Sequence, residues 1–177
     1  LKEYFEAKRA IAKYQNRKDL LFFFKDNVNS RRLAQTSRGH KIAVDHENFT
    51  LFNRADLKIV GLHNFRNAVM AASLALKLGV PPKIVLRVVK NFRGLEHRLE
   101  FIRKIDGIRF YNDSASTNPH TAAAAIRAFS PSYHLSPKTY NLILIAGGQD
   151  KNLDYKPLAE TIIKSGNVIK TKPFILV

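Results

Sequence analysis

The segment from Asn112 to Pro119 concentrates polar groups that could bind a ligand. It supplies one carboxylate, three hydroxyls and two amides, and it joins a predicted strand to a predicted helix. Ligands of open α/β sheets bind beyond the carboxyl ends of strands, and the N–H groups at a helix N-terminus favour anions. The pattern therefore indicates a site for hydroxyls and anions, or else a hydrophilic turn in which Asn118 caps the helix.

Two amides, Asn64 and Asn67, stand at the head of another predicted helix, three residues apart. Residues at i and i+3 share a helix face, so the two side chains could read a purine edge through paired donors and acceptors. The alternative is structural: Asn64 caps the helix and Asn67 is a polar residue of its first turn.

Two glycine-containing segments could act beside these sites. Gly94 opens a charged stretch that ends at Glu100, which is typical of an interdomain hinge or of a solvated loop. Gly147 and Gly148 follow an apolar run, and Lys151 would place a cation beside a ligand that the glycines let approach. The phosphate-binding pattern GxxxxGK[ST] occurs nowhere in the sequence.

Lys8 falls on the apolar face of the first predicted helix, which covers residues 1–15. A lysine in such a stripe usually extends its ammonium group to water. The alternative is a functional role for a lysine that points inward.

Strands and helices alternate along the chain, which predicts an α/β fold with a parallel sheet, at least after residue 100. The patterns predict strands at 20–24, 42–44, 57–60, 142–146 and 174–177, and a hairpin that joins 101–105 to 108–111 through Asp106 and Gly107. They predict further helices at 64–78 with Gly79 as its C-cap, at 82–92, at 119–129 and at 158–164.

The composition excludes several classes of protein. The 177 residues are 45% hydrophobic, which is enough for a packed core in one domain or two small ones. No apolar run approaches the ~20 residues of a membrane span, and the lack of cysteine excludes disulfides and thiolate sites. The net charge of +16 is spread along the chain without a run of five like charges, so a basic surface or an anionic substrate is favoured over a nucleic-acid-binding module, which stays as an alternative. A cytoplasmic protein is the default expectation.

In their order along the chain, these clusters resemble the back half of the Mur ligases, and among them those that add D-glutamate. The resemblance rests on the motifs EAKRAI, GLHNFRNAVMAA, FRGLEHRLEF, FYNDSASTNP and LILIAGGQDKNLDYKPLA. The NDS-x-x-TNP stretch separates this group from relatives that typically carry a DYAHxP-like stretch there. Among enzymes, the alternative to a D-glutamate-adding ligase is another Mur-type or folylpolyglutamate-type amide ligase.

The resemblance implies an ATP-dependent ligase that uses Mg²⁺ to join D-glutamate to UDP-N-acetylmuramoyl-L-alanine during peptidoglycan precursor synthesis. It implies catalytic roles for Lys8 and His97, with Lys8 carbamylated and serving as a metal ligand. It also implies that Asn64 and Asn67 contact adenine, that Asp113 contacts the ribose, and that Arg98 contacts the rest of the nucleotide. Thr117 and Lys151 would bind the carboxylates of D-glutamate. We expect the nucleotide-binding residues to converge on one cleft between the two halves of the chain, with Lys8 facing it.

The same resemblance predicts that residues 1–94 are the latter part of the central ATP-binding domain. Residues 95–177 would be the first part of a Rossmann-like C-terminal domain. The chain is then expected to be an internal fragment, inactive alone, of a protein that is monomeric and has no membrane partner. One departure from the family pattern is Ala115, which stands where the family usually has a lysine.

Overall fold

The computed structural model describes residues 2–129 and 141–165. These residues form two compact units. The first unit combines the residues up to Asn53 with Arg66–Val89, and the second combines Arg54–Phe65 with the described residues from Lys90 onward. The domain boundary predicted between residues 94 and 95 remains a prediction.

The first unit is built around a strand–helix–strand arrangement. Strand β1 (Leu20–Phe24) pairs in parallel with β2 (His40–Val44), and α2 (Val28–Gln35) connects them. The first helix, α1 (Lys2–Lys13), contributes the buried Ala12 to a core that also contains Leu21 and Ala34. The strand predicted at 20–24 is confirmed, and the one predicted at 42–44 begins two residues earlier.

The sequence patterns did not predict α2. The Asn27 side chain accepts a hydrogen bond from the Ser30 N–H at 2.9 Å and so caps a helix. The helix has only eight residues, and Ala34 is its one buried residue, so it lacks a clear apolar period.

Helix α3 (Leu62–Lys77) begins in the second unit and continues through the first. In the first unit, Arg66 ties it to the end of β1. The Arg66 guanidinium donates to the Asp26 carboxylate at 2.8 Å and lies 4.5 Å from the centre of the Phe24 ring. The predicted C-cap is confirmed, since Gly79 has a φ of +86° and the Val80 N–H donates to the Ala75 carbonyl at 3.0 Å.

Helix α4 (Pro82–Asn91) follows as predicted. Pro82 is its first residue, where the missing N–H of proline costs no hydrogen bond. Within the described ranges, no helix combines the length and the apolar character that crossing a membrane requires.

The second unit contains the predicted hairpin and two helices. Strands β3 (Glu100–Ile105) and β4 (Ile108–Asn112) pair antiparallel. Asp106 and Gly107 both have positive φ, as the predicted type I′ turn requires. Helix α5 (Pro119–Ala128) starts where predicted and packs on α6 (Lys156–Ser165), where the Arg127 guanidinium donates to the Thr161 hydroxyl at 3.0 Å.

Three predicted strands have a different outcome. Residues 57–60 form none: the backbone bends at residues 58 and 59, and the Val60 carbonyl accepts from the Asn64 side chain. The run at 142–146 contributes a single bridge at Leu142. Ile145 is 79% exposed, so within the described residues this run is not covered as a buried parallel strand is. The strand predicted at 174–177 lies outside the described residues.

The α/β fold class is confirmed. The expectation of parallel pairing after residue 100 is not met in the described residues, whose parallel pair is β1 with β2.

Candidate functional site

The turn after β4 is held together by its own polar side chains. The Asn112 side-chain oxygen accepts from the Ser114 N–H at 3.0 Å, and the Asp113 carboxylate accepts from the Ser116 hydroxyl at 2.5 Å. Asn118 accepts from the Thr121 N–H at 3.0 Å and caps α5, as predicted. The turn is therefore both a capped, hydrophilic connection and a rigid frame for a carboxylate.

The segment before β3 docks directly on this turn. The Asp113 carboxylate accepts from the Leu99 N–H at 3.0 Å, and the His97 carbonyl accepts from the Ala115 N–H at 3.0 Å. The Asn112 amide lies 2.9 Å from the Nδ1 atom of His97. Three of the predicted site residues, His97, Arg98 and Asp113, thus come together although they are up to 16 positions apart in the chain.

The backbone of this segment adopts an uncommon conformation. His97 and Leu99 have φ values of +64° and +45°, a region that residues other than glycine rarely occupy. The hydrogen bonds from the neighbouring turn hold them there, which is how proteins maintain such local strain at functional sites. Leu99 is buried, whereas Arg98 beside it is exposed.

The head of α3 lies close to the same residues. Gly61, just before the helix, has a φ of +96°, and a Cβ atom there would stand 2.9 Å from the Ala128 Cβ. Only glycine permits this approach to α5. The half-buried His63 lies within the electrostatic influence of Asp113, Arg98 and Arg127.

Burial is the main cause of the lowered pKa of His63, and the two arginines lower the pKa further while Asp113 opposes them. His63 was not predicted as a site residue. Its position next to Asn64 in the GLHNFRN motif is the sequence feature that could have identified it.

Asn64 is half-buried and does not cap the helix. Because α3 begins at Leu62, Asn64 lies in its first turn, where its amide nitrogen donates to the Val60 carbonyl at 2.8 Å. Its side-chain oxygen accepts no hydrogen bond within the described part of the chain. The capping interpretation of Asn64 is therefore wrong, and the purine-reading one stays a prediction.

The other predicted site residues lie on exposed positions. Lys8 is on α1 and Asn67 is on α3, both in the first unit, and both side chains are exposed. Thr117 is exposed in the turn before α5, and Lys151 is exposed in the loop that precedes α6. In the described ranges, no three histidine, aspartate or glutamate side chains are grouped so as to hold a metal ion.

A pocket of about 280 Å³ lies next to the His97–Leu99 segment in the second unit, since Val60 and Leu99 are part of its lining. Three cationic side chains, Lys58, Arg93 and Arg109, and the rings of Phe101 and Tyr111 contribute to its lining.

The sequence is similar over almost its whole length to curated bacterial ligases. It is 35% identical over 175 residues to UDP-N-acetylmuramoylalanine–D-glutamate ligase of Aquifex aeolicus. The aligned region covers 93% of this chain and 40% of that protein. The ligase of the same name from Clostridium novyi is 35% identical over 89% of this chain, and that from Symbiobacterium thermophilum is 31% identical over 99%. No protein-family model matches the sequence.

The α/β fold, the ordered motifs and these relatives define the chain as a Mur ligase sequence. Within that class, it belongs to the UDP-N-acetylmuramoylalanine–D-glutamate ligase family. The chain spans about two fifths of the length of the curated relatives that it matches.

Proposed function

We propose that the protein containing this chain is an ATP-dependent ligase that joins D-glutamate to UDP-N-acetylmuramoyl-L-alanine in the cytoplasm, acting as a monomer. The observation that carries the proposal is the docking of the His97–Leu99 segment on the Asp113 turn, beside the head of α3. The names of the relatives supply the reaction. In that reaction, ATP phosphorylates the substrate carboxylate, and the amino group of D-glutamate then displaces phosphate from the acyl phosphate.

Asn64 has the groups that an adenine edge requires. Its amide nitrogen uses one N–H on the Val60 carbonyl, which leaves the second N–H and the side-chain oxygen for a ligand. An amide that donates and accepts side by side can pair with the N6 and N7 atoms of adenine. Asn67, one helical turn further along α3, would add a second amide to the same recognition.

Asp113 can accept ribose hydroxyls without giving up its present partners. Its two carboxylate oxygens accept from the Leu99 N–H and the Ser116 hydroxyl, and each oxygen keeps a further lone pair. These bonds fix the carboxylate before the nucleotide arrives, which reduces the cost of ordering it on binding. Arg98 would add a positive charge for the polyphosphate.

Thr117 and Lys151 would receive the carboxylates of D-glutamate, through a hydroxyl donor and a cation. Lys151 is in the described loop after two glycines, where Gly148 has a φ of +129°. Ala115 supplies only a methyl group where the family usually has a lysine. We therefore expect weaker binding of one anionic group than a lysine at this position would give.

The described residues do not fit a magnesium site by themselves. No three of their carboxylate or imidazole groups cluster, and Lys8 as a carbamate would supply only one carboxylate-like group. We propose that Lys8 is carbamylated, because an ammonium group beside a divalent cation would be repelled.

Titration calorimetry of the chain with ATP tests the nucleotide site. Asn64→Ala and Asp113→Asn should each weaken ATP binding by about tenfold or more, since each removes a hydrogen bond or a charge from the site. Asn141→Ala, at an exposed asparagine outside the site, is the matched control and should bind ATP as the parent chain does. Equal affinity in all four proteins would contradict the proposal.

A substrate panel tests the choice of amino acid. The intact ligase should accept D-glutamate and reject the amino acids that other Mur-type and folylpolyglutamate-type ligases add. Equal turnover with another amino acid would favour the alternative amide ligase.

A further inference from the structure

The imidazole of His97 has two possible partners for its Nδ1 atom, and the distances separate them. The Asn112 amide nitrogen is 2.9 Å from Nδ1, whereas the nearest Glu100 carboxylate oxygen is 3.9 Å away. A hydrogen bond to nitrogen requires about 3.2 Å or less, so Asn112 is the partner. The same Glu100 oxygen accepts from the His97 backbone N–H at 2.9 Å, which keeps it on the main chain.

The orientation of the Asn112 amide decides which atom carries the proton. Its oxygen accepts from the Ser114 N–H at 3.0 Å, so its nitrogen faces His97. An amide nitrogen only donates hydrogen bonds, and Nδ1 must accept with its lone pair. The proton of the neutral imidazole is therefore on Nε2.

The rest of His97 is held so that this proton faces outward. The main chain at φ +64° is anchored by the bond from the Ala115 N–H to the His97 carbonyl. The side chain is 60% exposed, and within the described part of the chain Nε2 makes no hydrogen bond. The ring is thus fixed through Nδ1 and its Nε2–H group is available to a ligand.

We propose that Asn112 is a positioning residue that holds His97 in the Nε2–H tautomer, so that His97 donates a hydrogen bond to a phosphate or carboxylate oxygen of a bound substrate. Taking a proton from a substrate at Nε2 would require that atom to be unprotonated, which the Asn112 amide prevents. The inference deepens the proposed function and rests on it for the presence of an anionic ligand. Asn112 itself touches no substrate in this proposal.

Nitrogen NMR of the ¹⁵N-labelled chain measures the tautomer directly. In the parent chain, His97 should show an unprotonated Nδ1 and a protonated Nε2, with the resonances assigned from their loss in His97→Gln. In Asn112→Asp, a carboxylate replaces the amide donor, while its oxygen can still accept from the Ser114 N–H and preserve the turn. This variant should shift His97 to the Nδ1–H tautomer, whereas the same change at the exposed Asn141, Asn141→Asp, should leave it unaltered.

Addition of ATP and of D-glutamate, in separate titrations, identifies the source of the oxygen. In the parent chain, the ligand that His97 contacts should shift the Nε2 resonance of His97. This shift should be lost in Asn112→Asp. A His97 tautomer that is the same in the parent chain and in Asn112→Asp would overturn the inference. So would an unmoved Nε2 resonance in both titrations while Asn64 and Asp113 respond to ATP. If Asn64 and Asp113 fail to respond to ATP, the nucleotide site is contradicted, whereas the tautomer measurement still decides the role of Asn112.

Discussion

At the scale of single residues, His63 shows how a side chain beside the proposed nucleotide site depends on its surroundings. It is half-buried next to the Gly61 turn, and burial favours its neutral form. Two guanidinium groups, from Arg98 and Arg127, act in the same direction, and the Asp113 carboxylate acts against them.

The lowered pKa of His63 predicts a loss of stability in mild acid. The unfolded chain takes up a proton near the ordinary value of 6.5, whereas the folded chain resists protonation until lower pH. The contribution of His63 to stability is therefore complete above 6.5 and is lost as the pH falls through its folded pKa. Between about pH 8 and pH 5, the free energy of unfolding measured in urea should decrease less in His63→Gln than in the parent chain.

His120→Gln is the control for this measurement, because His120 is exposed on α5. The free energy of unfolding of His120→Gln should decrease toward pH 5 as much as that of the parent chain. If the free energy of unfolding of His63→Gln decreased as much as that of the parent chain, burial of this imidazole would not govern the acid sensitivity.

Lys8 carries the second prediction at this scale. If its carbamate is a metal ligand, Lys8→Ala in the intact ligase should abolish activity, and added short carboxylic acids should restore part of it by supplying the missing oxygen ligand. Lys13→Ala, on the same helix, should remain active without them. Full activity of Lys8→Ala without rescue would contradict the role.

At the scale of elements, the capped start of α5 stabilises the turn that holds Asp113 and Thr117. Asn118 is extended, its side chain accepts from the Thr121 N–H, and Pro119 occupies the first helical position. The same residue therefore ends the turn and begins the helix, so that the hydroxyls of the turn and the helix are positioned together.

Removal of this cap should have a moderate and local cost. Asn118→Ala should destabilise the chain by about 1 kcal/mol, because the Thr121 N–H loses its acceptor. Asn118→Asp retains an acceptor at the same place and should cost less. Urea unfolding gives the free energies, and amide exchange at Thr121 reports whether the first turn of α5 opens. Equal stability of Asn118→Ala and the parent chain would contradict the capping role.

At the scale of the whole molecule, the chain lacks a phosphate-binding loop of the GxxxxGK[ST] type. Phosphoryl transfer needs backbone donors and a lysine around the β- and γ-phosphates. We therefore expect no phosphate release when the chain alone is given ATP, magnesium, UDP-N-acetylmuramoyl-L-alanine and D-glutamate. The full-length Aquifex aeolicus relative serves as the positive control. Turnover above a control without protein would contradict this expectation.

The net charge of +16 leads to a second prediction at this scale. Spread cations bind a nucleic-acid backbone through counterion release, and such binding weakens steeply with salt. Filter binding should give weak association with nucleic acid at low salt that disappears near physiological ionic strength. ATP binding through Asn64 should persist there, and tight nucleic-acid binding at high salt would favour the basic-module alternative.

The sequence by itself determined the features that depend on neighbouring residues. The Asp106-Gly107 hairpin, the Gly79 C-cap and the Asn118 cap were predicted, because each follows from the conformational preferences of a few adjacent residues. The family was also predicted, since five motifs in a fixed order are far more specific than any one of them. The short α2 was missed, because its pattern has too few apolar residues to reveal a period.

Only the tertiary structure decided which groups meet. The bond between Asn112 and His97 joins residues 15 positions apart, and it depends on how β4 and the segment before β3 dock. The sequence left Asn64 open between a helix cap and a ligand-binding residue, and the structure commits its amide nitrogen to the Val60 carbonyl, with no hydrogen bond to its side-chain oxygen in the described residues. The tautomer of His97 and the protonation of His63 follow in the same way, because the energy of a proton depends on every charge and dipole around it, and these are brought together only by folding.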